Sequence, residues 1–345
     1  MRRREFLVTS GSALGALGAL GCGGPLGADE PVAGNPRIEV VDLMPAFFAF
    51  CDTHRDVPDD AFAAGFVERI VGAHPEVFAS RVIGAAGADD AGFSERVERW
   101  VPWLREVEPV MRRLHADFSL DLDAARARFV EALPDFDWRG RVYLFASVDA
   151  FNGAGRMVAG EPALLFGLDV IARLQADANL TILFHHELFH MYQAQARTYL
   201  AEAMWVEGLA TYASLVLSPG AADAEALPVS HVHDPDDPQL AAPERAVSLA
   251  AVMPALVGEL GPMLRARLRS REGDGSEEDY PMFFLGRAAP SLGRRPVRSA
   301  YWFGLEIVRR IHRGRSLREL AAIEPETLVD DMARALDAMI ERSRS

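Results

Sequence analysis

The sequence predicts an α+β fold that is mainly helical, with a small sheet preceding one histidine-containing helix. Residues 141–148 have the β-branched and aromatic composition of a strand, and residues 163–168 are a second short apolar run that we interpret as another strand. Much of the remaining chain carries apolar residues at three- and four-residue spacing, which is the helical period. Strands confined to one region of a mainly helical chain are typical of the α+β class.

Residues 58–132 predict a series of helices before those strands. Phe62, Phe66 and Ile70 repeat every four residues, and aromatic stripes at this spacing usually form a core. We therefore expect residues 37–119 to form a helical N-terminal region.

A second domain is predicted over residues 120–345. Its strand at 141–148 is followed by an irregular, glycine-containing stretch at 152–160 and by the strand at 163–168, after which Asp169 is a candidate N-cap for a short helix. The helices that follow are predicted at 179–196, 200–217, 248–270 and 297–340, with loops at 218–247 and 271–296.

Residues 1–21 have the pattern of an export signal and not of a folded segment. Three arginines at 2–4 precede an uncharged stretch at 6–21, which is the order of a signal peptide. The string at 3–7, Arg-Arg-Glu-Phe-Leu, resembles the twin-arginine export signal. The uncharged stretch is too short and too rich in glycine and alanine to read as a membrane span.

The signal ends in Ala-Leu-Gly-Cys at 19–22, which looks like a bacterial lipobox. We expect Cys22 to carry lipid, with residues 22–36 as a flexible tether. An ordinary cleaved signal with a chance cysteine is the alternative. The prediction is an exported lipoprotein that is membrane-anchored through Cys22 and faces the periplasm or the cell surface. Cys51, the other cysteine, then has no disulfide partner, and we expect it to be a buried thiol.

The charge of the chain argues against a nucleic-acid partner. The formal net charge is −14, and removal of residues 1–21, with three arginines and one glutamate, leaves −16. Such an acidic body repels phosphate backbones. The chain also has no lysine, which excludes Schiff-base chemistry and serine–lysine dyads. No apolar run after the signal reads as a membrane span.

The string at 184–190, Phe-His-His-Glu-Leu-Phe-His, contains the pattern His-Glu-x-x-His. His186 and His190 lie on nearly the same face of a helix, because four steps of about 100° exceed one turn by about 40°. Their imidazoles can therefore bind one Zn²⁺. Glu187 projects beside that face, where a carboxylate can act as a base without becoming a ligand. A pair of hydrogen-bonded core histidines is the structural alternative.

A catalytic zinc site needs a third protein ligand. The metzincin extension would require glycine at 193 and histidine at 196, but these residues are Gln193 and Ala196, which excludes that class. Glu207 is the one carboxylate in the apolar stretch 204–213 of the next predicted helix, and we predict it as the third ligand. The adjacent Gly208 is small, and we expect it to let this helix approach the preceding one closely.

This order, His-Glu-x-x-His followed by a glutamate on the next helix, resembles the gluzincin metallopeptidases. A wider likeness, over roughly residues 120–320, resembles a bacterial family of predicted zinc-dependent proteases of unknown function. The segments that carry this likeness are the strand at 141–148, Gly-Leu-Asp at 167–169, the histidine-containing string, Val-Glu-Gly-Leu-Ala-Thr-Tyr at 206–212, and Tyr-Trp-Phe-Gly at 301–304.

The resemblance implies a gluzincin-like metallopeptidase domain that hydrolyses peptide bonds in peptide or protein substrates. Carried over to this chain, His186, His190 and Glu207 would bind Zn²⁺ and Glu187 would be the general base. Tyr301 is a candidate donor to the oxyanion, because gluzincins often use a tyrosine or histidine from a later helix; a packing aromatic is the alternative.

Two further expectations come from the resemblance. Thr211 stands where thermolysin-like members have an aspartate that supports a metal ligand, so the ligand would be oriented less firmly. The strand at 163–168 is, by analogy, the sheet edge to which an extended substrate would add.

A different class of protein is the alternative function. A non-catalytic, zinc-containing envelope lipoprotein would use the same ligands to bind a partner without hydrolysis. Glu187 favours the enzyme, because no structural zinc site needs a carboxylate there.

Three other histidines are weaker candidates. His185 points about 100° away from His186 and is expected to be structural. His231 and His233 form a His-x-His in an acidic loop, which we interpret as a surface loop, with a second metal site as the alternative.

Overall fold

The computed structural model describes residues 38–84, 87–118, 122–174, 179–193, 199–232, 246–270, 279–284 and 295–345. The described chain is a mixed α+β structure that is mainly helical and has a small mixed sheet, as the sequence predicts. The predicted signal and tether at 1–36 lie outside the described residues.

The helices are α1 (Met44–Thr53), α2 (Asp59–Phe66), α3 (Ser80–Ile83), α4 (Phe93–Phe118), α5 (Leu122–Ala132), α6 (Leu168–Leu174), α7 (Leu180–Gln193), α8 (Leu200–Leu217), α9 (Asp223–Ala226), α10 (Leu249–Arg267), α11 (Asp279–Phe284), α12 (Ser299–His312), α13 (Leu317–Ala321) and α14 (Pro325–Arg342). A π-helical turn at Val67–Val71 directly continues α2. The strands are β1 (Glu39–Asp42), β2 (Arg141–Phe145), β3 (Gly153–Val158), β4 (Glu161–Gly167), β5 (Ser230–His231) and β6 (Ala246–Val247).

Most of the predicted helices are present. α8 has the predicted bounds, whereas the described part of the predicted helical segment 58–132 contains four separate helices, α2, α3, α4 and α5. The predicted loop 218–247 contains α9 and the short β5–β6 pair, and the predicted loop 271–296 contains α11. The remaining parts of these two loops, at 233–245, 271–278 and 285–294, lie outside the described residues.

The chain divides into two compact units. One consists of the described parts of residues 12–107 and 137–170, and the other of the described parts of 108–136 and 171–345. The predicted boundary near residue 120 does not coincide with this grouping, because β2, β3 and β4 belong with the N-terminal helices.

The first unit contains a four-stranded sheet in the order β1-β2-β4-β3. β1, β2 and β4 run parallel, and β3 is antiparallel to β4. The sequence predicts only two of these strands. The expected irregular stretch 152–160 is strand β3, whose glycines interrupt the usual strand pattern, and β1 lies in the region expected to be helical.

The expectation that the strand at 163–168 is a sheet edge is wrong. β4 pairs with β2 on one side and with β3 on the other, so the edge strands of this sheet are β1 and β3. Residues 163–166 are a continuous buried apolar run, which is typical of a central strand because both of its faces are covered.

Asp169 does not cap α6, which begins one residue earlier. Its buried carboxylate instead accepts hydrogen bonds from four donors. Ser147 N and Ser147 Oγ lie 2.7 and 2.9 Å from Oδ1, and Asp149 N and Trp100 Nε1 lie 2.9 and 3.0 Å from Oδ2. The turn that these bonds hold has left-handed backbone at Val148 (φ 56°) and Asp149 (φ 58°), a conformation that costs energy for a β-branched residue.

Aromatic residues form the core of the first unit, as their spacing predicts. The Phe66 ring lies 6.0 Å from the Phe47 ring, 5.9 Å from the Phe78 ring and 5.0 Å from the Trp100 ring. Cys51 of α1 is buried, as expected.

The second unit is built around α8, which is buried along most of its length. α8 crosses α12 at two glycines: a Cβ atom placed on Gly208 would lie 2.3 Å from the carbonyl carbon of Gly304. Gly208 therefore permits a close approach to α12, a helix that the sequence expectation does not name. Its partner is distant in sequence, which is why the local pattern does not reveal it.

Two helices of the second unit, α8 and α10, are long and apolar enough to cross a membrane. This differs from the sequence expectation that no such segment follows the signal. Most of α8 is buried inside the protein, as in the core helix of a soluble domain, whereas only about a third of α10 is buried. Length and composition alone are weak evidence for a span.

Candidate metal centre

α7 places His186 and His190 one turn apart on the same face. The helix begins after Asn179, whose Oδ1 accepts a hydrogen bond of 3.2 Å from Thr181 N and so caps the first turn. The two imidazole rings are nearly perpendicular, with centroids 4.7 Å apart. Their Nε2 atoms lie 3.1 Å from each other, so both rings direct the same nitrogen to one point.

α8 supplies the third group from the other side. Glu207 is buried, and its Oε2 lies 3.4 Å from His186 Nε2 and 3.4 Å from His190 Nε2. The start of α8 is fixed by a hydrogen bond of 3.1 Å from Tyr199 N to Glu202 Oε2, as in a capping box. Glu207 thus converges with the two histidines, as the sequence predicts.

The separations among these three atoms fit a tetrahedral metal site. Zinc ligands at about 2.0–2.1 Å from the ion and at tetrahedral angles lie about 3.3 Å from one another. The observed separations are 3.1, 3.4 and 3.4 Å. His186 and Glu207 are buried and His190 is half-buried, and polar side chains that converge in this way need a shared partner. His186, His190 and Glu207, the metal group, could hold a metal ion.

Glu187 lies beside the ligand group but is not part of it. It follows His186 on α7 and is partly exposed. Its carboxylate makes no hydrogen bond or ion pair with any residue that the structure describes. A carboxylate in this position remains available to accept a proton.

Tyr301 lies on α12, and the structure gives its ring a packing contact with Phe284 at 5.8 Å. Tyr301 precedes Gly304 by three residues, which is about one helical turn. Gly304 is the residue that approaches Gly208 of α8, so Tyr301 is one turn from the point at which its helix meets the helix of Glu207.

His185 is structural, as expected. Its Nε2 lies 2.9 Å from Ala125 O and its Nδ1 lies 3.0 Å from Ser218 Oγ. Both ring nitrogens are thus engaged outside the metal group. Burial lowers the pKa of His185, which favours the neutral ring. In that form Nε2 donates to the carbonyl and Nδ1 accepts from the hydroxyl.

Thr211 does not support a metal ligand through its side chain as an aspartate would. Its Oγ1 donates a hydrogen bond of 2.8 Å to the backbone carbonyl of Glu207. The hydroxyl is therefore engaged with the helix backbone at Glu207.

Gln193, which excludes the metzincin pattern, also lies on the histidine face of α7. Its side chain is 6% exposed, and neither amide atom has a hydrogen-bond partner among the described residues. His190 Nδ1 is likewise buried and without a partner there. Gln193 is three residues after His190 and seven residues after His186. Residues at these spacings share a helix face, so the spacing could have revealed Gln193.

The His231–His233 pair is only partly described. His231 lies in β5, and His233 lies outside the described residues. The expectation of a surface loop or a second metal site there stays a prediction.

No protein-family model, curated protein or solved structure matches this chain. The likeness to the gluzincins and to predicted zinc-dependent proteases therefore stays a prediction. The metal group and the neighbouring carboxylate are the features from which a function can be inferred.

Proposed function

We propose that the protein is a zinc-dependent peptidase, with His186, His190 and Glu207 as the zinc ligands and Glu187 as the general base. The convergence of two Nε2 atoms and one carboxylate oxygen at 3.1–3.4 Å carries this proposal. Two imidazoles with one glutamate form a known ligand set of catalytic zinc, which keeps a fourth position open. The fold would be a variant of the gluzincin type.

The residues around the group fit the chemistry of peptide hydrolysis. A bound zinc ion supplies Lewis acidity and lowers the pKa of a coordinated water towards 7. Glu187, whose carboxylate has no partner among the described residues, accepts the proton and then delivers it to the leaving amine. Tyr301 is proposed to donate a hydrogen bond from its phenol O–H to the oxyanion.

We also propose that the enzyme works outside the cytoplasm. The signal-like residues 1–21 would direct export, and lipid on Cys22 would hold the body at a membrane through the tether at 22–36. The substrates would be peptides or proteins of the periplasm or the cell surface. The net charge of −14 makes a nucleic-acid substrate unfavourable.

The test compares the wild type with Glu187→Gln on a mixed peptide library, after the metal content of each has been measured. The wild type is expected to cleave, and the variant to keep one zinc per chain while cleavage falls by about 10²- to 10⁴-fold, the usual contribution of a general base. Glu98→Gln, at an exposed helical glutamate of α4, is the matched control and is expected to cleave normally.

Two results would contradict the proposal. Zinc binding without cleavage by the wild type would favour the alternative, a non-catalytic zinc-containing lipoprotein that binds a partner. Equal cleavage by the wild type and by Glu187→Gln would remove Glu187 from the reaction.

A further inference from the structure

The N-terminus of α12 carries groups that attract an anion. α12 has 14 residues and its N-cap residue is Arg298, which makes no side-chain capping hydrogen bond. The first backbone N–H groups of a helix generally lack intrahelical acceptors, and together they carry a partial positive charge. In α12 the third of them, Tyr301 N, donates to Arg298 O at 3.2 Å. A helix end of this length is therefore disposed to bind an anion, although this feature alone does not define a site.

Arg298 brings a buried positive charge to this helix end. Arg298 is 9% exposed, and its Nη1 donates a hydrogen bond of 3.1 Å to Val229 O. Among the described residues, no carboxylate forms an ion pair with its guanidinium. A buried guanidinium with no acidic partner among these residues is unfavourable, and an anion is the kind of group that would stabilise it.

The backbone and surroundings of Arg298 fit the same interpretation. Its φ of 59° is left-handed, a conformation that a residue other than glycine keeps only where the fold imposes it. Burial lowers the pKa of Arg298, and the charge of an ionised Tyr301 would oppose that shift. The guanidinium therefore lies close enough to Tyr301 for the two groups to interact.

Ser299 adds a second unpartnered group. The residue is fully buried, and its Oγ has no hydrogen-bond partner among the described residues. Ser299 is the first residue of α12 and directly follows Arg298, so its hydroxyl belongs to the same helix end. A guanidinium, a hydroxyl and helix N–H groups are all donors, which suits an oxyanion and excludes a cation.

The position of this end along α12 relates it to the metal group. Ser299 precedes Gly304 by five residues, which is about 7.5 Å along a helix axis. Gly304 contacts Gly208, the neighbour of the ligand Glu207. An extended peptide spans about 3.3–3.6 Å per residue, so two or three residues beyond a scissile bond would cover such a distance.

We propose that Arg298, Ser299 and the N-terminus of α12 bind the C-terminal carboxylate of a short peptide substrate. The proposal rests on the proposed peptidase function and specifies its substrate class: peptides cleaved within a few residues of a free C-terminus. The bound carboxylate would neutralise Arg298 and accept a hydrogen bond from Ser299.

The kinetic test uses the zinc-loaded enzyme and pairs of peptides that differ only in a free or an amidated C-terminus. The wild type is expected to have a kcat/KM roughly 10- to 100-fold higher for the free acid, the range for a charge-assisted hydrogen bond. Arg298→Met should reduce this ratio to about one, and Arg298→Lys should retain part of it because the charge remains. Ser299→Ala should lower the ratio several-fold, by about the value of one hydrogen bond.

Arg313→Met is the matched control. Arg313 also has left-handed backbone (φ 42°) and is exposed at the other end of α12. Its replacement should leave the preference for the free acid unchanged. If Arg298→Met does not fold, as judged by circular dichroism, Arg298→Lys and Ser299→Ala still test the site.

Binding measurements separate this proposal from the peptidase assignment. Calorimetry on the zinc-loaded Glu187→Gln variant should show tighter binding of the free acid than of the amide, and the difference should vanish when Arg298→Met is added. The protein could cleave no peptide and still show this Arg298-dependent difference in binding. The carboxylate site would then stand, and the peptidase assignment would fail.

Equal binding and equal cleavage of the free acid and the amide would overturn the proposal. Acetate or inorganic phosphate that binds in an Arg298-dependent way, without any discrimination between the peptides, would also overturn it. In that case the anion would be a free one and not part of a substrate.

Discussion

The crossing of α8 and α12 provides a sharp test of how packing positions the metal group. A methyl group at Gly208 would lie 2.3 Å from the carbonyl carbon of Gly304 and 2.5 Å from its Cα. Carbon atoms pack at about 3.5–4.0 Å, so Gly208→Ala must separate the two helices by more than about 1 Å. Both contacted atoms are backbone atoms and cannot rotate out of the way.

The expected change in stability combines two effects. Alanine favours a helix interior by about 1 kcal/mol over glycine, and overpacking typically costs 1–3 kcal/mol. Because the contacted atoms are backbone atoms, the upper end of that range applies, and Gly208→Ala should lower the free energy of unfolding by about 2 kcal/mol. Glu207 is the next residue, so its carboxylate should move with the helix. Since metal–ligand distances tolerate shifts of only about 0.2 Å, zinc affinity should fall at least about 10-fold.

Urea unfolding measures the stability change, and competition with a chelator measures the zinc affinity. The control is Gly258→Ala in α10, where a Cβ atom would meet only the flexible side chain of Ser343, with Oγ at 3.1 Å. This control should be as stable as the wild type or more so. A Gly208→Ala variant with wild-type stability and wild-type zinc affinity would refute the proposed role of the crossing.

The other predictions concern the turn after β2, a surface ion pair and the histidine face of α7. Asp169→Asn should lower the free energy of unfolding by about 3 kcal/mol, because an amide cannot accept from all four donors; a loss below about 1 kcal/mol in urea unfolding would contradict this. Hydrogen bonds from Arg309 lower the pKa of Asp223, so their contribution is present above the ordinary aspartate pKa and is lost as pH falls through the lower folded value. Asp223→Asn should therefore destabilise by less than about 1 kcal/mol at pH 7, since the pair is partly exposed, and by progressively less as the pH falls through the lowered folded pKa of Asp223; a destabilisation that grows on acidification would contradict this prediction. Gln193→Leu should weaken zinc binding about 10-fold in chelator competition, because His190 Nδ1–H needs an acceptor once Nε2 binds the metal; unchanged affinity would exclude Gln193 from this role.

The sequence was most informative where local spacing decides the structure. Two histidines four residues apart share a helix face wherever that helix packs, and Glu207 was identified because a lone carboxylate in an apolar stretch needs a buried partner. α8 has no proline and is rich in alanine and leucine, and it begins where Glu202 accepts a hydrogen bond from Tyr199 N and ends before Ser218.

Features that depend on distant partners could not be predicted in this way. The role of Gly208 is set by Gly304, and the burial of β4 is set by pairing on both sides. Strand β3 was missed because Gly153 and Gly155 disrupt the composition of a strand. The carboxylate of Asp169 looked like a helix cap because the turn that it holds is more than twenty residues earlier.

The most direct test of the central claim is zinc-edge X-ray absorption on the protein after loading with zinc and exhaustive dialysis. The proposed function predicts one zinc per chain, bound by two imidazole nitrogens and a carboxylate oxygen at about 2.0–2.2 Å. Glu207→Ala should retain the imidazole signal and lose zinc more readily. Absence of bound zinc after dialysis, or a coordination shell without two imidazoles, would contradict the assignment of His186, His190 and Glu207 as the metal ligands.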